Sequence, residues 1–467
     1  MRSSRALTRL ATILVTAIAV LVSGACVNGG GPGGTPSPTS SSPTSSSRSP
    51  SPGLSTGVQT PSTAQVDKTV RSAIEDVERY WRATFPGLAG GRPFVPLKGG
   101  YFPYTRSNPP RACGQEPGTY QPNAFYCPAG DFIAWDEEVL VPRLYSQYGP
   151  FLVAVVIAHE YGHAIQNRLH LQGLPTIVLE QQADCFAGSW AQDVAAGHSD
   201  AFRSLGPDQL DSAVAGMLSI RDQPGSSAQS PQAHGNAFDR IRAFQEGYEQ
   251  GPKRCAAYRP GTIPITEIPF SDPTDYSTGG NLPYPEAVRL LSADLQLYWS
   301  STFPRLGGGA WKPLRVVPYD PAPRPACAGD TRGMQEAGGA AYYCPAGSFV
   351  AFDAGDVGKK LHTQIGDNAV GILLANLFAR AVLDRLHRPT TGKPAQLEID
   401  CLSGAWTNSL LERGPQAQLQ LSPGDLDEAV TTLLVFGRGD DNDGASSFER
   451  IDAYRTAVLG GISACRL

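Results

Sequence analysis

A chain of 467 residues is long enough for two or three folded domains. Its formal net charge of −5, with no basic block and no interleaving of aromatic and basic residues, excludes nucleic acid as a partner. Past the N-terminus, the longest apolar stretch, Val370 to Leu383, is interrupted by Asn376 and Arg380 and is too short to span a bilayer.

In chain order, Arg2, Arg5 and Arg9 precede an apolar run from Leu10 to Val22, and Ser23-Gly24-Ala25 stands directly before Cys26. Residues 1–26 therefore read as a lipoprotein leader. Cys26 is the expected lipid-bearing N-terminus, holding the protein to the extracytoplasmic side of the cell membrane. Ser23 and Ala25 also suit ordinary signal peptidase, which would give a freely secreted chain. Residues 27–65 are almost wholly Gly, Pro, Ser and Thr, have nothing to bury, and read as a disordered tether.

After the tether the chain repeats itself at an offset of roughly 217 residues. Tyr80-Trp81 with Thr84-Phe85-Pro86 recurs as Tyr298-Trp299 with Thr302-Phe303-Pro304. Phe125-Tyr126-Cys127-Pro128 recurs as Tyr342-Tyr343-Cys344-Pro345, Asp184-Cys185 as Asp400-Cys401, and Arg240-Ile241 as Arg450-Ile451. Two tandem copies are expected, 66–262 and 283–467, joined by a Pro-rich linker at 263–282. Each copy reads as an amphipathic helix (Val66 to Thr84 in the first), then irregular Pro-rich chain, then a short strand, then helices. That order argues for an α+β fold. The strand of the first copy, Phe132 to Trp135, is expected at an exposed edge where an extended peptide could add to it.

The chemistry lies in the first copy. His159-Glu160-Tyr161-Gly162-His163 places two imidazoles one helical turn apart, behind an apolar run from Phe151 to Ala158 that marks a buried helix. That spacing grips zinc, which in a hydrolase takes three protein ligands and leaves a position for water. For the third ligand, His170 is one residue out of register with the longer three-histidine pattern. Glu180 fits better: four residues before Asp184, it shares a helical face with it. Glu180 can then bind the metal while Asp184 accepts a hydrogen bond from the far nitrogen of a ligand histidine. Glu160 becomes the general base toward a zinc-bound water whose pKa falls from about 16 to near 7. His234 is the candidate oxyanion donor, with Arg240 a weaker one. One Zn2+ per chain is expected, because in the second copy Asn376, Leu377, Arg380 and Gln396 stand where His159, Glu160, His163 and Glu180 stand in the first.

Nine cysteines are present, and with Cys26 set aside the other eight form two similar quartets. The expected pairs are Cys113–Cys127 and Cys327–Cys344 as local loops, with Cys185–Cys255 and Cys401–Cys465 as long-range staples. Such pairing belongs to an oxidising compartment.

His-Glu-Tyr-Gly-His-Ala-Ile-Gln, then Glu-Gln-Gln-Ala-Asp-Cys-Phe-Ala-Gly, then His-Gly ahead of Arg-Ile, together resemble the neutral zinc metallopeptidase family of bacteria, from Val66 to about Tyr258. The resemblance implies a zincin-like fold of the gluzincin type, with Glu180 as third ligand. The leader and tether are similar to those of actinobacterial surface lipoproteins. The expected function is hydrolysis of peptide bonds in a peptide or protein substrate. The degenerate copy is expected to pack on the first as an intrachain pseudo-dimer and to restrict its cleft. Two other readings fit the same residues: a non-catalytic surface scaffold, and a zinc amidase acting on cell-wall peptides.

Overall fold

The structure is a computed structural model that describes residues 62–466, apart from 172, 204, 231–232, 321–322, 330, 332, 415–416 and 437–443. The leader, Cys26 and nearly all of the tether lie outside the described residues. Helix α1 (Thr63–Thr84) begins three residues before the expected Val66. A capping box sets that start: Ser62 Oγ accepts from Gln65 N–H, and Gln65 Oε1 accepts from Ser62 N–H.

Three short strands follow, β1 (Gly100–Tyr104), β2 (Ala124–Cys127) and β3 (Phe132–Asp136), in the order β1-β3-β2. Strand β3 runs parallel to β1 and antiparallel to β2, so Phe132 to Trp135 is the central strand and not the exposed edge expected. All of its residues are buried. Ile133 and Trp135 join the main core, while Phe132 and Ala134 pack into a second apolar cluster with Tyr104 and Cys127. A strand covered on both faces is apolar on both, and the edge facing the helices is β2.

Helices α2 (Leu140–Tyr148), α3 (Pro150–Arg168), α4 (Thr176–Ala195), α5 (Pro207–Ser219), α6 (Ala237–Gln250) and α7 (Pro252–Ala256) complete the first half. Helix α3 is buried from Phe151 to Gly162, which is why its sequence shows little amphipathic periodicity. Helices α4 and α6 meet at glycines. A Cβ on Gly188 would lie 1.9 Å from the Phe244 carbonyl oxygen, and one on Gly247 would lie 1.8 Å from that of Cys185.

After α8 (Pro273–Thr278), the second half repeats the element order: α9 (Tyr284–Thr302), β4 (Arg315–Tyr319), β6 (Ala341–Cys344), β7 (Phe349–Asp353), α10 (Lys359–Gln364), α11 (Asp367–Arg385), α12 (Lys393–Arg413), α13 (Asp425–Phe436) and α14 (Ser447–Gly460). It adds a two-residue strand, β5 (Gln335–Glu336), antiparallel to β6, giving the order β4-β7-β6-β5. Contacts recur as well. Trp190 Nε1 donates to Asp76 at 2.9 Å, and Trp406 Nε1 donates to Asp294 at 2.9 Å. The fold is α+β, helix-rich with two small sheets.

The expected linker is itself fastened. Asp239 accepts from Thr266 N–H and Oγ1, and Asp275 on α8 accepts from Ser422 Oγ. The first half's hydrophobic core extends across the contact, with Val214, Phe238 and Phe244 from α5 and α6 meeting Leu426, Val430, Phe448 and Tyr454 from α13 and α14, while the second half also has a core of its own around Trp299, Phe378 and Trp406. Four disulfides are present, Cys113–Cys127, Cys185–Cys255, Cys327–Cys344 and Cys401–Cys465, which are the expected pairs. They fit an extracytoplasmic compartment. Among the described residues no helix is long and apolar enough to cross a membrane.

Candidate metal centre

Helices α3 and α4 cross so that Gly162 lies against the backbone of Ala183, where a Cβ would sit 2.8 Å from the Ala183 Cα. This approach carries His159 and His163 on α3 up to Glu180 and Asp184 on α4. The ligand atoms of His159, His163 and Glu180 all lie within 4.8 Å of one another. His159 Nε2 is 3.3 Å from Glu180 Oε2, and His163 Nε2 is 3.4 Å from Glu180 Oε1.

The far side of each ring is already engaged. His159 Nδ1 donates to Asp184 Oδ1 at 2.8 Å. His163 Nδ1 lies 3.0 Å from Gln166 Oε1, and the same amide donates from its Nε2 to the Leu179 carbonyl at 2.6 Å. That second bond fixes which end of Gln166 faces the ring, and so makes His163 Nδ1 the protonated nitrogen. In its neutral form each ring then presents a bare Nε2 lone pair to a carboxylate. Glu180 Oε2 is buried with no hydrogen-bond donor. Three lone pairs facing one another out of water repel unless a proton or a metal cation lies among them, and two imidazoles with a carboxylate are a donor set zinc favours. The residues present fit that metal.

The electrostatics carry the same tension. Burial, the largest influence on His159, disfavours its charged form, yet Asp184 and Glu180 together outweigh it and push the ring up to about 10. Burial likewise works against charge on His163, and Glu180 overcomes it to raise that ring too. Burial also opposes ionisation of Glu180, but the two histidines hold it well below the usual carboxylate range. Glu160 goes the other way. Its burial is only partly offset by the histidines and by the Tyr126 N–H, so its carboxyl is raised. Glu160 Oε2 accepts from Tyr126 N–H at 2.8 Å, which places Glu160 against edge strand β2.

Arg240 is not free to donate to a reacting oxyanion. Its Nε and Nη2 grip Asp184 Oδ2 and Oδ1 at 2.9 and 3.0 Å, and its Nη1 donates to the Ile220 carbonyl at 3.0 Å. Asp184 is held below its ordinary pKa because Arg240 and His159 together overcome its burial. His234 lies outside the three-donor cluster, half-exposed and paired with Asp222. Three features escaped the sequence reading. Gln166 carried a usable signal, since it stands three residues after His163 on the same helical face. The Arg240–Asp184 pair and the Tyr126 N–H depend on tertiary contact and carried none.

The second half has no such donor set at the matching place. Arg380 stands there, buried, with Nε on Glu336 at 2.8 Å, Nη2 on Gln396 at 2.8 Å, and Nη1 on the Gly333 and Thr390 carbonyls at 3.0 and 2.9 Å. Asp400 keeps its partner, accepting from Arg450 at 2.7 and 2.8 Å.

Two ring nitrogens and a carboxylate beside a buried glutamate are what a zinc-dependent hydrolase requires. Residues 15–258 match the family described as "Putative neutral zinc metallopeptidase", and the chain belongs to that family. An uncharacterized protein of Mycobacterium tuberculosis, Rv2575, is 28% identical over 207 residues, covering 39% of this chain and 67% of its own. The uncharacterized protein YpfJ of Escherichia coli K12 is 28% identical over 160 residues, covering 29% of this chain and 53% of its own. No solved structure matches.

Proposed function

We propose that the protein is an exported zinc-dependent endopeptidase of the gluzincin type. Its working site is His159, His163 and Glu180 with Glu160 as general base, and its second half is a degenerate copy without catalysis. The observation that carries this reading is the pair of bare Nε2 atoms aimed at an orphaned carboxylate, both tautomers being set from behind by Asp184 and Gln166. Zinc held there supplies a Lewis acid that polarises the scissile carbonyl and acidifies water.

The remaining work falls to the chain. Glu160, buried and with a raised carboxyl, takes a proton from water and delivers it to the leaving amine. Asp184, pinned by Arg240, keeps His159 Nδ1 protonated and its Nε2 bare throughout. Strand β2 offers its outer edge to an extended substrate. What supports that role is the second half, where β5 lies antiparallel on β6, Tyr343 N–H donates to the Met334 carbonyl at 2.9 Å, and the Gly333 carbonyl faces the buried Arg380 cation. Tyr343 matches Tyr126. A peptide bound in the same way on β2 takes the Tyr126 N–H from Glu160 and leaves that carboxylate free to act on water. Lipid attachment at Cys26 and export by residues 1–26 belong to the same reading, as does His234 as oxyanion donor once a substrate is bound.

Elemental analysis of the purified, oxidised chain tests it. About one zinc per chain is expected, lost in His163→Ala. Glu160→Gln should keep the zinc and lose cleavage of an unfolded protein substrate. A folded chain without zinc would favour a non-catalytic scaffold.

A further inference from the structure

The contacts between the two halves are reciprocal. Asp427 on α13 accepts from the Phe238 N–H at 2.9 Å and also bonds the Ala237 N–H, capping the start of α6. Asp211 on α5 accepts from Ser447 N–H and Phe448 N–H at 3.1 and 2.8 Å, capping the start of α14. Asp211 and Asp427 occupy matching positions, as do Phe238 and Phe448. Gln245 and Arg455 also match, and they touch each other, with Arg455 Nε donating to Gln245 Oε1 at 3.0 Å. Residue i meeting j′ while j meets i′, with one matched pair in mutual contact, is the signature of a two-fold interface within one chain.

The two caps serve different ends. Helix α6 carries Arg240 in its first turn, and Arg240 holds Asp184, which holds His159. Asp427 also pairs with Arg221 at 2.7 Å, the residue after Ile220, whose carbonyl accepts from Arg240. The matching helix α14 carries Arg450 onto Asp400, behind Arg380 and no histidine. We infer that Asp427 is a positioning residue for the metal centre of the first half, so that the degenerate half serves as a built-in subunit that holds the Arg240–Asp184–His159 relay in place. The inference rests on the zinc reading above.

The mirror-related cap supplies the control. Asp427→Ala and Asp211→Ala each remove one cap, worth about 1 kcal/mol, and should both lower the Tm of the full chain, Asp427→Ala the more because Arg221 also loses its partner. Zinc affinity, measured by competition with a chromophoric chelator, should fall roughly tenfold in Asp427→Ala, as expected when support behind a ligand histidine is loosened. It should stay at the wild-type value in Asp211→Ala, and Asp427→Asn, which keeps an acceptor, should recover most of the loss. The visible spectrum of the cobalt-substituted protein should shift in Asp427→Ala alone. Equal affinities in all variants would overturn the inference, and so would equal losses in both alanine variants, which mean general loosening. A wild-type chain that binds no zinc overturns the zinc reading and this inference with it.

Discussion

Asp184→Asn is the substitution that separates the metal centre from the scaffold. The carboxylate receives three donors on two oxygens: Arg240 Nε on Oδ2, with Arg240 Nη2 and His159 Nδ1 both on Oδ1. An asparagine of the same shape has only one oxygen. With that oxygen at the Oδ1 position, its NH2 opposes the Arg240 Nε–H, donor against donor. With the oxygen at the Oδ2 position, its NH2 meets His159 Nδ1 and drives the ring to the other tautomer, whose Nε2–H cannot bind metal. Loss of such support costs about 10- to 100-fold in metal affinity, or roughly 1.4 to 2.7 kcal/mol. The buried Arg240 loses its counter-charge as well, which destabilises the fold by on the order of 3 kcal/mol. Asp400→Asn imposes the same loss on Arg450 and touches no ligand. Both variants should therefore melt lower by a similar amount, while chelator competition should find zinc affinity reduced in Asp184→Asn alone. Wild-type affinity in Asp184→Asn, or an equal loss in Asp400→Asn, would refute the reasoning.

Gln166→Leu removes the acceptor that sets the His163 tautomer, and roughly a tenfold loss of zinc affinity is expected, with a lower Tm because the Leu179 carbonyl also loses its donor; an unchanged affinity would show that the ring needs no such partner. Arg380→Leu strands the buried Glu336 and frees β5, so the chain should lose about 3–5 kcal/mol of stability while its zinc content stays at one; a gain of a second zinc would contradict the reading of that half. Asp367, Asp425 and Glu428 are buried within reach of one another, and all three carboxyls are raised, Asp425 by burial, then by Glu428 and Asp367. Groups raised in the folded state are at no disadvantage below the unfolded pKa near 4, and they withdraw stability as the pH climbs toward the folded values. Asp425→Asn and Glu428→Gln should accordingly raise the Tm by a few degrees at pH 7 and not at pH 4, as followed by circular dichroism. A lower Tm at pH 7 would mean that something other than protons neutralises the trio.

The meeting of His159, His163 and Glu180 was readable because its signals are local. Two histidines at i and i+4 must share a face, and Glu180 with Asp184 must do the same. Two similar cysteine quartets suggested the disulfide pairs, although spacing alone leaves the connectivity open, and the structure joins those pairs. The sheet was harder to read. Strand β1 contains Pro103, and β2 is four residues long with mixed burial, so neither shows a usable alternation. Strand β3 is apolar from Phe132 to Trp135, which fits a strand at the centre of a sheet as well as one against a core, and the edge assignment failed there. Strand β5 has only Gln335 and Glu336 and is a strand solely because β6 lies beside it. The role of Arg240 was hidden for a related reason, since its partner is 56 residues away in sequence.

The recurrence of the Asp–Arg pair in a half without the two histidines and Glu180 bears on why it exists. In the first half Asp184 is held below its ordinary pKa, because Arg240 and His159 together overcome its burial. In the second half burial wins, with Glu336 adding to it, and Asp400 is raised despite Arg450. The same buried pair is therefore comfortable in one half and strained in the other, yet its geometry is kept. In both halves it ties the helix bearing the aspartate to the helix bearing the arginine, at the place where glycine lets the two backbones meet: Gly188 against Phe244 and Gly404 against Tyr454. The pair is thus part of the framework, and support of a ligand histidine is an added use of it. On that view the stability lost in Asp400→Asn measures the framework role by itself. The excess in Asp184→Asn, read as zinc affinity, measures what the carboxylate does for His159.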